Sequence, residues 1–254
     1  MNKDYYVEYY TLEREHWWFV VRAGIIKDRI APYLNNQKSC KILNIGAATG
    51  STSELLSQFG EVTSIEYDAD CCAFTREKTN LQVQHGSILD LDFPDNHFDL
   101  VCAFDVIEHV EDDQLAVEEM QRVCKPGGLV YITVPAYNFL WSEHDEVNHH
   151  FRRYTLGGLK KLFDRKRVKF LYHSYFNSLL FIPIATFRLL SKMIPSSWYR
   201  KGAGADNTIF DNDSIVNKIL FQIFNMERKL LKVMKFPFGV SIMLLLRKND
   251  SEHQ

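Results

Sequence analysis

The feature that most constrains the fold is an alternation of short apolar strands with helical segments between residues 41 and 135. Lys41–Ile45 is an apolar run that leads into a glycine turn, and residues 129–134 form a second apolar run. Residues 51–59 and Asp113–Val123 have the apolar spacing of helices. Strands that alternate with helices at short spacing predict a parallel sheet with crossover helices. A ligand site is then expected at the carboxyl ends of the strands.

The same patterns predict the other elements of the chain. Strands are predicted at 62–66, 83–85, 98–104, 168–176 and 240–247, helices within 1–35 and at 69–78 and 156–163, a KPGG turn at 125–128, and a polar loop near 202–212. Four segments follow: an aromatic helical cap (1–39), a core (40–135), an acceptor-binding lid with a helical insertion (136–239), and a last core strand with a tail (240–254).

Composition predicts an ordinary globular protein of the cytoplasm. Hydrophobic residues make up 46% of the 254 residues, so disorder is not expected. The five cysteines form no CxxC pair, which is typical of reduced thiols. The first residues contain no apolar signal region, and no stretch reaches 18 uncharged apolar residues. We therefore expect no secretory signal and no transmembrane helix.

The charge of the chain is unevenly distributed. Residues 1–150 contain 11 Lys/Arg and 25 Asp/Glu, whereas residues 151–250 contain 19 and 6. Two different partners would explain this asymmetry, and so would an intramolecular contact between the oppositely charged halves.

A glycine pair and a carboxylate mark the expected ligand site. Gly46 and Gly50 lie between a strand and a helix, where they let a ligand approach the backbone. The segment is neither GxGxxG nor a P-loop, which disfavours dinucleotides and excludes a P-loop nucleoside triphosphate site. Glu66 ends the next strand, and a carboxylate there can accept both hydroxyls of a ribose.

These residues, with others in the same order, resemble class I S-adenosylmethionine-dependent methyltransferases, of the type 11 kind. The matching segments are the loop 46–50, Glu66, residues 86–93, 98–101, 105–110 (DVIEHV) and 122–129 (RVCKPGGL). The resemblance implies a Rossmann-like α/β fold: a seven-stranded, mostly parallel sheet of order 3-2-1-4-5-7-6, with helices on both faces and a helical lid.

The resemblance also implies S-adenosylmethionine as the cofactor. The residues expected to contact it are Asn44, Gly46, Ala47, Ala48, Gly50, Glu66, Tyr67, Ser87, Ile88, Phe104 and His109. Two of them depart from the family pattern, since Asn44 and Ser87 stand where acidic residues are usual. Both can still hydrogen-bond, but neither adds negative charge.

The densest polar cluster, residues 141–154, follows the fifth strand and is expected to face the acceptor. General-base candidates are His144, Asp145, His149 and His150, and the expected acceptor contacts are Tyr10, Trp18, Trp141, Arg152, Arg153 and Tyr154. The two arginines suit a phosphate or carboxylate. The histidines match no standard metal spacing, so no metal is predicted. A polar loop with caps and surface ion pairs is the structural alternative.

Two further segments bear on the acceptor. Residues 13–19 (EREHWWF) and 150–154 (HFRRY) resemble motifs of a bacterial methyltransferase subgroup. That subgroup has no single defined substrate and resembles enzymes that act on glycans, lipids and other secondary metabolites. Residues 174–200 combine bulky apolar and basic residues, which suits a lid over the acceptor pocket or a segment in the membrane interface.

The expected function is O-methylation of a small-molecule, glycan or lipid-linked acceptor, amphiphilic or anionic, in the cytoplasm or at the inner membrane face. No nucleic-acid recognition motif is present, so nucleic acid is not expected as a partner. The alternative is a catalytically degenerate methyltransferase fold that serves as a membrane- or partner-binding module.

Overall fold

The computed structural model describes residues 3–34, 40–191 and 214–250. Its strands are β1 (Lys41–Ile45), β2 (Glu61–Glu66), β3 (Val83–His85), β4 (Phe98–Phe104), β5 (Cys124–Pro135), β6 (Val168–Phe176) and β7 (Ser241–Lys248). Its α-helices are α1 (Lys3–Glu15), α2 (Trp17–Leu34), α3 (Ser51–Leu56), α4 (Ala69–Lys78), α5 (Asp113–Val123), α6 (Glu143–Val147), α7 (Leu156–Lys161), α8 (Phe181–Ser191) and α9 (Ile215–Leu231). Two 3₁₀ turns lie at Ile107–His109 and Asn138–Leu140.

The seven strands form one sheet in the order β3-β2-β1-β4-β5-β7-β6, which confirms the predicted topology. Strands β1 to β5 pair in parallel, whereas β7 is antiparallel to both β5 and β6. Strand β6 therefore runs in the same direction as β5. The carboxyl ends of β1, β2, β3, β4, β5 and β6 meet at one edge, which is the edge where ligands of such sheets bind.

Apolar side chains cover both faces of the sheet. On one face, Val117 and Met120 of α5 pack against a cluster that includes Leu43 and Val101. On the other face, α2 and α9 bury their apolar sides over alternate strand residues, among them Leu100. Because a parallel sheet is buried on both faces, its strands are continuous apolar runs, as in the sequence.

Two regions differ in detail from the predicted elements. The helical region 1–35 is two helices, which meet at His16. Residues 125–128 lie within β5, whose pairing with β4 shifts register between Phe98 and Leu100. Gly127 has a φ of +73°, so the predicted turn is a bulge that leaves the strand pairing intact on either side. The predicted loop near 202–212 lies outside the described residues.

Part of segment 136–239 belongs to the layers of the core. Strand β6 extends the sheet, and Phe224 of α9 is fully buried. The Phe224 ring stacks on Phe176 at 6.4 Å between centroids and meets the edge of Trp17 at 5.7 Å. Helix α9 thereby joins the N-terminal helices to the last strands.

We predict that Phe224→Ala lowers the free energy of unfolding by about 3 to 5 kcal/mol, because it removes a buried ring and leaves a cavity. Met226→Ala on the same helix is the control, since Met226 is 51% exposed and its truncation should cost less than about 0.5 kcal/mol. Urea unfolding measures both. Equal losses for the two variants would show that α9 is not packed as described.

Candidate active site

The loop after β1 presents bare backbone at the ligand edge. Gly46 and Gly50 have φ of +70° and +93°, and Ala48 between them has φ of +45°. A Cβ on Gly46 would lie 2.5 Å from Cγ2 of Val106, so no side chain fits there. The loop therefore needs glycine for its conformation and for its close approach to the segment after β4.

The Glu66 carboxylate is directed at this loop. One oxygen accepts a hydrogen bond from the Ala48 amide at 2.9 Å, and the other accepts from the Asp68 amide at 3.0 Å. Glu66 remains partly exposed at the carboxyl end of β2. A carboxylate beside bare backbone is the donor and acceptor set that an adenosyl group with a ribose requires, so the residues present fit such a cofactor.

The N-terminal helices lie over the same strand ends. The Tyr6 hydroxyl donates to Asp68 after β2 at 2.9 Å, and the Thr49 hydroxyl after β1 donates to Glu13. Arg22 of α2 pairs with Asp105 after β4 at 2.5 Å. Burial raises the pKa of Glu13. Helix α1 and the start of α2 therefore bridge the ends of three adjacent strands.

Several expected cofactor contacts lie beneath this surface. Asn44 is fully buried, and its amide donates to the hydroxyls of Thr52 and Ser53 at 2.9 and 2.8 Å. Phe104 packs edge-on against Tyr131, and Ile88 belongs to the main core. These side chains support the loop and the sheet.

The other expected contacts line the edge more openly. Ser87 follows β3 and is half-buried, while Tyr67 after β2 is 76% exposed. Ala47 is buried under the loop, and its amide donates to Ile65. Of the expected side chains, that of Glu66 is hydrogen-bonded to the backbone of the loop 46–50.

The centre of the polar cluster is Asp145, which is fully buried. Its carboxylate accepts from Arg153 Nε at 2.7 Å and Nη2 at 2.9 Å, and from His150 Nδ1 at 2.8 Å. Burial alone would raise the pKa of Asp145, but the bonds from His150, Arg153 and Ser142 outweigh it and hold that pKa well below its usual range. Asp145 is thus an acceptor for its neighbours, which favours a positioning role.

Arg152 and Tyr154 of the 150–154 motif bond to residues of the segment after β4. Arg152 pairs with Asp113 at 2.9 Å and donates to the carbonyl of Glu111. The Tyr154 hydroxyl donates to Asp113 at 2.8 Å, and its backbone pairs with Ala136 after β5. Both arginines therefore have partners inside the protein, which explains their presence without a bound anion.

Glu108, His109 and His150 come together beside this motif. The rings of His109 and His150 lie 4.5 Å apart, edge to face. His109 Nδ1 donates to the carbonyl of Asn148 at 2.9 Å, and the Phe151 amide donates to the carbonyl of Glu108 at 2.7 Å. Sequence patterns did not single out Glu108, although it lies in the quoted 105–110 segment.

The surroundings of this cluster shift two pKa values. Complete burial, followed by the charge of Asp105, raises the pKa of Glu108 well above its ordinary value. His109 keeps one side open to solvent, but loss of water around the rest of its ring, with His150 beside it, lowers its pKa to about 4. Burial therefore shifts the two pKa values in opposite directions, upward for Glu108 and downward for His109.

The structure does not gather all the expected acceptor contacts. His144 lies near His150, with 5.9 Å between ring centroids, whereas His149 is exposed. Tyr10 lies under Arg14 and beside Phe74 of α4, and Trp18 packs on Phe19.

An aromatic cluster lies at the ends of β5 and β6. Tyr137 stacks on Tyr175 at 5.2 Å and on Phe139 at 5.3 Å, and Phe181 meets both Tyr137 and Phe238. Phe139 and Phe238 are exposed. An apolar surface therefore adjoins the polar cluster on the ligand edge. Trp141, which follows this segment, is half-buried.

Comparison with known proteins agrees with this geometry. Residues 43–132 match the family described as "Methyltransferase domain". Demethylmenaquinone methyltransferases from two Staphylococcus aureus strains, MRSA252 and JH9, are 33% and 34% identical to the chain over 128 residues, which is 47% of this chain. The chain spans half the length of these curated relatives.

Solved structures share the fold. A SAM-dependent methyltransferase from Archaeoglobus fulgidus matches with a TM-score of 0.51 and 15% identity, over 89% of this chain and 94% of that one. The [4+2]-cyclase SpnF matches with a TM-score of 0.58 and 15% identity, over 89% and 80%. A methyltransferase domain is thus matched over residues 43–132, and the solved structures share the fold of the chain.

We predict that Asp145→Asn weakens the pH dependence of stability in acid. Because the folded pKa of Asp145 is depressed, its stabilising contribution is present above its unfolded value of 3.8 and is lost as pH falls toward the folded pKa. Urea unfolding between about pH 5 and pH 3 should give a smaller loss for the variant than for the wild type. Asp92→Asn, at an exposed site, is the control and should follow the wild type. Parallel curves for Asp145→Asn and wild type would contradict this role.

Proposed function

We propose that this chain transfers a methyl group from S-adenosylmethionine to an oxygen of a small-molecule acceptor. The observation that carries the proposal is the Glu66 carboxylate beside the loop 46–50, at the carboxyl ends of adjacent parallel strands. When bound, the cofactor supplies a methyl group already activated on a sulfonium. The protein has to hold it, align an acceptor with it and exclude water.

The residues of the chain divide this work between them. Glu66 accepts from the ribose hydroxyls, and the left-handed loop lets the cofactor lie against the backbone. Helix α1, bonded through Tyr6 and Glu13 to the strand ends, excludes water from that side. His150 is oriented by Asp145, and its ring lies 4.5 Å from that of His109 in the turn after β4. It activates the acceptor hydroxyl.

The acceptor that we propose is small and largely apolar. The aromatic cluster around Tyr137 and Phe181 offers an apolar surface, and the Tyr137 amide joins it to the polar segment by donating to the carbonyl of Tyr154. Relatives that match 47% of this chain are named demethylmenaquinone methyltransferases, a name that also points to a small molecule. Since Arg152 and Arg153 pair within the protein, anionic groups on the acceptor are not needed to explain them.

We predict that the wild-type chain binds S-adenosylmethionine with a dissociation constant in the micromolar range, measured by calorimetry. Glu66→Ala should abolish detectable binding, and Glu66→Gln should weaken it at least tenfold, because the amide loses the charged acceptor for the ribose. Glu61→Ala, at the exposed start of β2, is the matched control and should bind as the wild type does.

Thermal unfolding of each variant separates loss of binding from loss of fold. Wild-type affinity in folded Glu66→Ala would overturn the cofactor site. If the wild-type chain does not bind S-adenosylmethionine, the alternative is favoured: a protein that has the fold but transfers no methyl group and binds a partner or a membrane.

We also propose that α8 rests on the cytoplasmic membrane face. Ile182 and Phe187 are 71% and 53% exposed, and Leu189 and Leu190 are exposed beside them. The helix begins at Phe181, within the aromatic cluster, so an apolar acceptor could pass from lipid to the site. No helix in the described parts of the chain is long and apolar enough to cross a bilayer. Residues 192–200 of the expected apolar segment lie outside the described residues.

We predict that the chain cosediments with vesicles that contain phosphatidylglycerol. The double variant Ile182→Glu/Phe187→Glu should reduce the bound fraction at least fivefold, because burying two carboxylates among lipid chains is unfavourable. Val7→Glu on α1 is the control, because Val7 is 51% exposed, close to the value for Phe187, and it should not change binding. Equal binding of both variants would exclude α8 as the contact.

A further inference from the structure

Three possible metal ligands converge next to the end of β4. Glu108, His109 and His150 each place one ligand atom so that all three atoms lie within 4.8 Å of one another. We propose that these three side chains form a site for a divalent transition-metal ion. The ligands come from the 3₁₀ turn after β4 and from the segment after α6, which are separated by about 40 residues of sequence.

The Glu108 carboxylate points independently to a ligand. Glu108 is 0% exposed, and neither of its side-chain oxygens has a hydrogen-bond partner among the described residues. Buried carboxylates are nearly always bonded, since an unpartnered one loses its water without compensation. Coordination of a cation would satisfy these oxygens.

The two imidazoles are oriented as metal ligands usually are. His109 Nδ1 donates to the carbonyl of Asn148, and His150 Nδ1 donates to the carboxylate of Asp145. Each bond fixes the proton on Nδ1 and leaves Nε2 with a free lone pair. Metal-bound histidines characteristically give their second nitrogen to a carbonyl or carboxylate in this way.

Two imidazole nitrogens and one carboxylate form the ligand set of catalytic zinc sites that keep one position open. The open position would face the ligand edge, because His109 is exposed there while Glu108 closes the inner side. An acceptor oxygen bound at that position would have the pKa of its hydroxyl lowered. This role rests on the proposed function, and His150 then acts as a ligand instead of taking the proton, which goes to water.

The test is titration of the full chain, first treated with a chelator, with Zn²⁺ and with Co²⁺. We expect one ion per chain with a micromolar or lower dissociation constant, and Co²⁺ absorption bands of four- or five-coordinate geometry. Glu108→Gln and His150→Gln should each weaken Zn²⁺ binding at least tenfold. His149→Asn is the matched control, since it removes the adjacent exposed histidine and keeps a residue that tolerates its φ of +54°.

Each outcome decides the proposal. Binding weaker than about 1 mM by the wild-type chain, or equal binding by the wild type and folded Glu108→Gln, overturns it. If the variants do not fold, the wild-type Co²⁺ spectrum decides, because octahedral hydrated Co²⁺ bands would contradict the site. Calorimetry of S-adenosylmethionine with the chelator-treated chain is independent: cofactor binding without metal binding rejects only the metal site, and the reverse rejects only the proposed function.

Discussion

The buried carboxylate of Asp145 holds the polar segment after β5 together. It accepts from Arg153 through two nitrogens and from His150 and Ser142, so both ends of the 142–153 segment bond to one carboxylate. A buried charge is tolerated only when it is paired and hydrogen-bonded, and removal of one partner costs several kcal/mol. The bond from His150 to Asp145 fixes the orientation of the His150 ring. Arg152 and Tyr154 connect the same segment to Asp113.

The sheet could be predicted from the sequence because its signals are local. Apolar runs such as Lys41–Ile45 and Phe98–Phe104 are buried on both faces, and the glycine loop follows the first of them directly. The strand order was an implication of family resemblance, since pairing between β5 and β7 joins residues more than a hundred positions apart. Conversely, the bulge at 125–128 looked like a turn because KPGG specifies a local bend but not the pairing that continues around it.

The candidate site was only partly predictable, because some of its contacts join residues that are far apart in the sequence. Glu66 follows a strand at a recognisable spacing, and the structure places it at the loop. Arg153 was an anion-binding candidate by residue type, yet its partner is Asp145, eight residues earlier. Glu108 lies in the matched 105–110 segment but was given no role of its own, because a carboxylate in an acidic region looks solvated until burial is known. Glu108 and His109 belong to one segment and His150 to another, so a search for ligand spacing within residues 141–154 could not find the three together.

The backbone at the ligand edge has a regularity with a mechanical consequence. The chain leaves β1, β4, β5 and β6 through residues with positive φ, namely Gly46, Asp105, Tyr137 and Asn177. At each of these residues the chain turns away within one or two residues of the strand end. The segment that follows a strand therefore does not cover that strand's carboxyl end. Three of the four bends use residues with a Cβ, each at a cost of about 1 kcal/mol or more, which the surrounding contacts must offset. Contacts around these four residues must therefore hold the rim in its bent form, and loosening those contacts would let the bends relax.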